Sequence, residues 1–194
     1  MLAAAEKLMR ERGDDEFTLN EVGKIGAVSI GSIYCRFDGK DELIRAVQVR
    51  VMVAIEKSQN HAIDRAQGDA KNISEFVSNL VDGLAESLRH YAPILRPLMN
   101  RAGKDKIVAA TGRASYMRVA ERVQQAMLTY RKEIAQPDPE RAVRSAYRIL
   151  YASIARYLGL GTGPDVTLHE GNWIELKEDL GRMCAAFLLT KWRG

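Results

Sequence analysis

Thr18, Ser32, Tyr34 and Lys40 fall close together in the chain and share one chemistry. Three hydroxyls and an ammonium around one short segment can bond phosphate oxygens, which sets register along a charged backbone without reading its sequence. Between and beside them stand Ser29, Ile30, Gly31, Cys35 and Arg36. Arg36 could take a guanine bidentately, and its position suits a phosphate equally well. Ile30 offers apolar contact, for example to a thymine methyl. Gly31 costs a helix about 1 kcal/mol against alanine, and in exchange lets the backbone approach a partner closely. Taken singly, these residues have plainer explanations as two caps, a half-buried Tyr, a solvated Lys and a small half-buried Cys. Their joint spacing carries the reading that Thr18, Ser29, Ile30, Gly31, Ser32, Tyr34, Cys35, Arg36 and Lys40 form a DNA-binding surface.

Other chemistries find less support. His61, His90 and His169 are far apart and share no metal-ligand spacing, and Cys35 and Cys184 stand alone, so no metal site or cofactor is expected. Gly159, Gly161 and Gly163 mimic a nucleotide loop, but they follow a helical pattern rather than a strand, and no Gly-Lys-Ser/Thr follows. Gly103-Lys104 fails the same test. No Ser/His/Asp set or carboxylate pair stands out, so nothing favours an enzyme.

The elements that must hold the cluster are legible in residues 18–43, TLNEVGKIGAVSIGSIYCRFDGKDEL. Thr18 and Glu21 have capping-box spacing. Leu19, Val22 and Ile25 then share a helical face. Gly26 can end that helix, since glycine tolerates the left-handed conformation common there. Ser29 can cap a second helix from Ile30 to about Arg36, with Val28, Ile33 and Phe37 on one side and Ile30, Gly31, Tyr34 and Cys35 on the other. This is a helix-turn-helix, whose second helix would enter a major groove.

At this point the sequence resembles the tetracycline-repressor-like (TetR) family of bacterial transcription regulators. The resemblance rests on Ala4, Ala5, Leu8 and Gly13, on Thr18 and Val22, and on the run Val28-Ser29-Ile30-Gly31-Ser32-Ile33-Tyr34 with Phe37, Lys40, Glu42 and Leu43. It covers about the first quarter of the chain. Two positions depart from the family pattern: Gly26-Ala27 stands where Ala-Gly is usual, and Gly39 where Ser or Thr usually precedes the Lys. The resemblance implies a homodimer through the eighth and ninth helices, packed as a four-helix bundle with the partner's pair, and an effector pocket among helices four to eight.

Composition is that of an ordinary soluble globular chain, 46% hydrophobic and 28% charged over 194 residues. No apolar run approaches membrane-spanning length, no signal peptide opens the chain, and two cysteines suit a reducing cytoplasm. The net charge of +4 does not by itself argue for nucleic acid. Residues 1–50 hold 8 Lys/Arg against 9 Asp/Glu, so the surplus lies elsewhere, with 11 against 5 in residues 101–148. A solvated basic face explains that surplus more simply than an anion site does.

Beyond the first quarter the chain reads as all-α, about nine helices in total. Helix 1 ends before Gly13. Helix 4 starts near Lys40 and runs to about His61, and residues 64–71 read as a polar loop with Gly68. Asn72-x-x-Glu75 opens helix 5. Pro93 and Pro97 suggest a separate, short helix 6. A long helix follows from about Tyr116 to Ile134, then helices 8 (about 139–158) and 9 (about 172–188). Residues 1–45 are expected to form the DNA-binding domain and residues 46–194 an effector-binding and dimerising domain. Tyr91, Met99, Met117, Tyr147 and Tyr151, adaptable side chains near the proline breaks, are the candidates to line an effector pocket. Small residues Ala142, Ala146, Ser153 and Ala155 would allow close helix approach across the dimer. The reading is therefore a ligand-responsive repressor of an inverted-repeat operator. The alternatives are a helical small-molecule-binding or enzymatic bundle whose helix-turn-helix is incidental, and an architectural DNA-bound protein with no effector.

Overall fold

The computed structural model describes residues 1–161 and 171–191. The predicted Gly-rich loop from Gly159 to Asp165 lies partly outside the described residues, as does His169. The described chain is eight helices with no strand: α1 (Leu2–Arg12), α2 (Leu19–Gly26), α3 (Ile30–Tyr34), α4 (Lys40–Asp69), α5 (Ile73–Ala102), α6 (Lys106–Leu128), α7 (Pro139–Tyr157) and α8 (Trp173–Leu189). Helices α1 to α3 and the start of α4 make a small bundle around Ala5, Leu8, Met9, Val22, Ile33 and Leu43. The long helix α4 then runs on, unbroken at residue 45, and packs along α5 and α6. Helix α8 packs on α5 and α7.

Several starts follow the sequence signals. Asn72 accepts from the Glu75 amide at 2.9 Å. Asp138 caps α7, with Pro139 in its first turn, where a missing N–H costs nothing. Asn172 caps α8 by accepting from the Ile174 amide at 2.9 Å.

Two expectations about helix limits are corrected. Residues 64–69 are helical and not a loop, because Ile63 and Ala66 are buried and extend the apolar stripe of α4; the polar residues between them are its solvent face. Pro93 and Pro97 lie inside one helix rather than bounding a separate one. Each removes an i→i−4 bond, at roughly 3 kcal/mol per interior proline. The same turns bury Ile94, Leu95 and Leu98. Each is worth about 1.5–3 kcal/mol, enough to offset the two prolines.

The crossing of α4 and α5 is close. A Cβ placed on Gly83 would sit 2.8 Å from the Cβ of Ala62, so the backbones meet at a distance that only a glycine allows. Behind the crossing, Tyr147 stacks on Tyr116 with centroids 5.8 Å apart, and Tyr116 meets Tyr151 edge-on at 4.8 Å.

Candidate nucleic-acid interface and the cavity behind it

The turn between α2 and α3 is tight. Val28 donates its amide to the Gly23 carbonyl at 3.0 Å, and a Cβ on Gly23 would come within 2.9 Å of the Val28 carbonyl oxygen. The left-handed residue at the end of α2 is Ala27, with φ 49°, and not Gly26 as the sequence suggests. The inverted Gly26-Ala27 order puts an alanine where a glycine would be at ease. Gly26 instead takes the last helical position, where an added Cβ would lie 3.4 Å from the Met1 nitrogen and 3.5 Å from the Ala4 Cβ.

Both starts are capped as expected. The Thr18 hydroxyl accepts from the Glu21 amide at 3.2 Å and donates to the Glu21 carboxylate at 2.9 Å, while that carboxylate accepts from the Thr18 amide at 2.7 Å. Arg12 adds a hydrogen bond to the other carboxylate oxygen at 2.5 Å and so ties α1 to α2. The Arg12 bond first, and then the Thr18 amide and hydroxyl, hold the Glu21 carboxyl down at about 2. Ser29 accepts from the Ser32 amide at 3.0 Å. Helix α4 starts without a side-chain cap at Gly39; Glu42 instead accepts from the Asp38 amide at 2.6 Å.

These caps leave one surface facing outward. Ile33 is fully buried and Val28 and Phe37 are partly covered, whereas Ser29, Ile30, Gly31, Ser32, Tyr34, Cys35 and Arg36 are exposed. Tyr34 is 58% exposed, so it is not the half-buried side chain of the plainer reading. Thr18 borders this surface, and the Lys40 ammonium sits 4.9 Å over the Phe17 ring at the start of α4. A Cβ on Gly31 would meet nothing nearer than the Ser29 hydroxyl at 3.8 Å, so packing inside the protein does not require a glycine there.

A partly buried ionic junction joins this end to the rest. Arg101, at the end of α5, reaches Asp15 at 3.0 Å and Asp41 at 2.5 Å, both in the helix-turn-helix region. Asp105 caps α6 through the amides of Ile107 and Val108 and accepts from Arg45 of α4 at 2.9 Å. Burial opposes charge on Asp105, but the Arg45 bond and the two amides outweigh it and keep its carboxyl below the ordinary range.

Directly beyond the junction lies a cavity of about 190 Å³ between α4, α5, α6 and α7. Met99 and Tyr151 line it, with Tyr116 beside them and the buried Tyr147 in contact behind. Burial pushes the Tyr116, Tyr147 and Tyr151 phenols up, so all three stay neutral. Of the other two expected lining residues, Met117 is exposed at the surface and Tyr91 packs under the Arg10 guanidinium; neither borders this cavity. Sequence reasoning missed Gln48 and Gln59, which line it from α4. Their signal was present, since Gln48, Met52, Ile55 and Gln59 follow helical spacing with amides at both ends of an apolar pair.

His61 and His90 both border an open, polar groove between α4, α5 and α8, and no group of residues able to hold a metal occurs among the described residues. No described helix is long and apolar enough to cross a membrane.

Residues 1–47 match the family described as bacterial regulatory proteins, tetR family. No curated protein sequence matches the chain. Among solved structures, a putative TetR-family transcriptional regulator from Mesorhizobium loti superposes with a TM-score of 0.72 at 19% identity, covering 96% of this chain and 92% of that one. A putative TetR-family regulator from Syntrophomonas wolfei gives 0.72 at 13% identity, covering 99% and 94%. The fatty acid degradation regulator FadR of Bacillus halodurans gives 0.61 at 14% identity, covering 95% of each chain. The fold is therefore shared over nearly the whole length, while the sequence match is confined to the segment carrying the helix-turn-helix. Residues 1–47 thus carry the helix-turn-helix segment of the tetR family of bacterial regulatory proteins, the chain as a whole shares the fold of these solved regulators, and the two together mark a DNA-binding transcriptional regulator.

Proposed function

We propose that this regulator is a repressor released from an inverted-repeat operator when a small molecule fills the cavity between α4, α5 and α6. The observation that carries the reading is Gly31. It sits on the exposed face of a five-residue helix, where the protein has room for a side chain and helix propensity favours one. The glycine is explained by a partner that comes close from outside. Around it, Thr18, Ser29, Ser32, Tyr34 and Lys40 hold phosphates, and Ile30, Cys35 and Arg36 face base edges.

The dimer forms through α7 and α8. Ile149, Ile174, Met183 and Phe187 are large apolar side chains exposed on these two helices, a surface that a second copy would cover. The small residues do something else. Ala142, Ala146 and Ala155 are buried inside the protomer, where Cys184 Sγ lies 3.9 Å from the Ala146 carbonyl. Two-fold symmetry then sets two recognition helices at a fixed spacing on DNA. A ligand wedged against the start of α6 displaces Asp105 and with it Arg45 and Arg101, which changes that spacing. Couplings of this kind are typically about 1–3 kcal/mol.

The test uses duplexes enriched from a random library by the wild-type protein. Gly31→Ala is expected to raise the melting temperature slightly yet weaken duplex binding about tenfold or more. Lys40→Ala should weaken all duplexes alike and reduce the salt slope by about 1, whereas Arg36→Ala should change which sequences are enriched. Undiminished binding by Gly31→Ala would remove α3 from the interface. A monomer in light scattering at micromolar concentration would remove the two-fold operator.

A further inference from the structure

Resting on the sensing role given above to the cavity, we propose that its ligand is an uncharged, compact and mainly apolar molecule carrying a hydrogen-bond donor, and that Gln48 reads that donor. Gln48 is 3% exposed and lines the cavity from α4. Its Nε2 donates to the Val108 carbonyl of α6 at 2.8 Å. A carbonyl only accepts, so the amide can sit only this way round; the flipped amide would set two acceptors against each other. Oε1 is thereby left buried with no hydrogen-bond partner among the described residues. A buried acceptor left unpaired costs about 1–3 kcal/mol, and such atoms are uncommon in folded proteins. A donor brought in by the ligand recovers that cost.

The rest of the lining gives the remaining character of the ligand. Gln59, three turns further along the same face of α4, is 4% exposed, and its amide makes no hydrogen bond among the described residues. Between the two amides lie Met52 and Ile55, faced by Leu88, Leu95 and Leu98. Arg113 is the one charged residue of the lining, and it is exposed to solvent. A carboxylate drawn into this space would find no buried cation, at a desolvation cost that one amide cannot meet. The space of about 190 Å³ exceeds the roughly 150 Å³ that suffices for benzene in an apolar cavity. A ring with one or two small substituents therefore fits.

The test compares p-cresol with p-xylene, which share shape and differ by a hydroxyl for a methyl, and adds p-toluate as the charged counterpart. Dissociation constants are measured by ligand-observed NMR titration on the full chain. The wild type is expected to bind p-cresol more tightly than p-xylene, although xylene is the more hydrophobic, and to leave p-toluate unbound. In Gln48→Leu the cresol-to-xylene ratio should fall about tenfold, the fold-change of one buried hydrogen bond. Gln48→Met, more flexible, serves if the leucine variant does not fold, with the same fall expected. Tighter binding of xylene by the wild type, or an unchanged ratio in the variants, overturns the donor reading and leaves the cavity standing. Binding of p-toluate overturns the uncharged class. Failure of both neutral compounds to bind overturns this inference together with the sensing role of the cavity, while DNA binding, measured separately, stands or falls by itself.

Discussion

The DNA-reading end and the cavity end of this chain treat polar side chains in opposite ways. At the first, Thr18, Glu21, Ser29 and Arg12 are at or near the surface, and each is tied to a backbone amide or to a neighbour. They hold short helices in place and leave the outward face free. At the second, Gln48 and Gln59 are buried, and one amide oxygen has no partner among the described residues. A satisfied exterior gives a rigid presenting surface; an unsatisfied interior stores a penalty that a ligand can relieve. Between them the Asp15, Asp41 and Asp105 carboxylates converge on Arg101, and Arg45 pairs with Asp105, so ion pairs tie the two ends together.

The largest expected effect comes from cutting that junction. Asp105→Ala removes the α6 cap, the partner of Arg45 and one neighbour of Arg101. Loss of a cap costs about 1 kcal/mol and loss of a charged hydrogen bond about 1.5–3 kcal/mol, so destabilisation of roughly 2–4 kcal/mol is expected. Urea unfolding measures it. A loss below about 0.5 kcal/mol, with DNA affinity unchanged, would mean that the two ends are not joined here.

Next in size is the close crossing of α4 and α5. Gly83→Ala places a methyl 2.8 Å from the Ala62 Cβ, and neither atom is the end of a flexible chain, so the helices must part. Overpacking of this kind costs about 1–3 kcal/mol. The midpoint of thermal unfolding should fall accordingly, and duplex affinity measured well below that midpoint should change little, since the recognition surface lies at the far end of α4.

How much of this was legible in the sequence differs between the two ends. The helix-turn-helix depends on contacts within a short stretch, and its cues are local: a capping box at Thr18, a cap at Ser29 and a period that buries Ile33 while exposing Tyr34. All could be read in order. The second half depends on contacts between residues far apart. Pro93 and Pro97 read locally as breaks, yet burial against the surrounding helices keeps α5 continuous. Met117 fits the adaptable type expected in a pocket, but its side of α6 faces outward. The helical spacing of Gln48 with Met52, Ile55 and Gln59 places it on the inner face of α4, but its role depends on the α6 carbonyl opposite it, which no local pattern shows. Within the helix-turn-helix a misreading fell at Gly26, where residue type suggested the left-handed position and Ala27 took it.

That misreading offers a smaller effect of opposite sign. Alanine at φ 49° is strained by about 1 kcal/mol, which glycine avoids. Ala27→Gly is therefore expected to stabilise the protein by up to about 1 kcal/mol in urea unfolding, less whatever the freer unfolded chain takes back. A destabilised variant would show that the turn is held from outside, and the local rigidity credited to the DNA-reading end would have to be reassigned.

The smallest effect tests the surface ties by pH. Glu21 titrates near 2 in the folded protein against 4.5 ordinarily, because Arg12 and the amide and hydroxyl of Thr18 bond its ionised form. A carboxyl lowered in this way binds fewer protons when folded than when unfolded. Its contribution to stability is therefore complete above about 4.5 and is lost as pH falls from there toward about 2. Comparing wild type with Glu21→Gln in urea at a series of pH values should show a constant gap from neutrality to about pH 5, then a narrowing one. Because Glu21 lies at the surface, added salt should shrink the gap at every pH. The Asp105 carboxylate is buried, so the gap between wild type and Asp105→Asn should resist salt. If both gaps responded to salt alike, the two ends would not differ in how they hold charge.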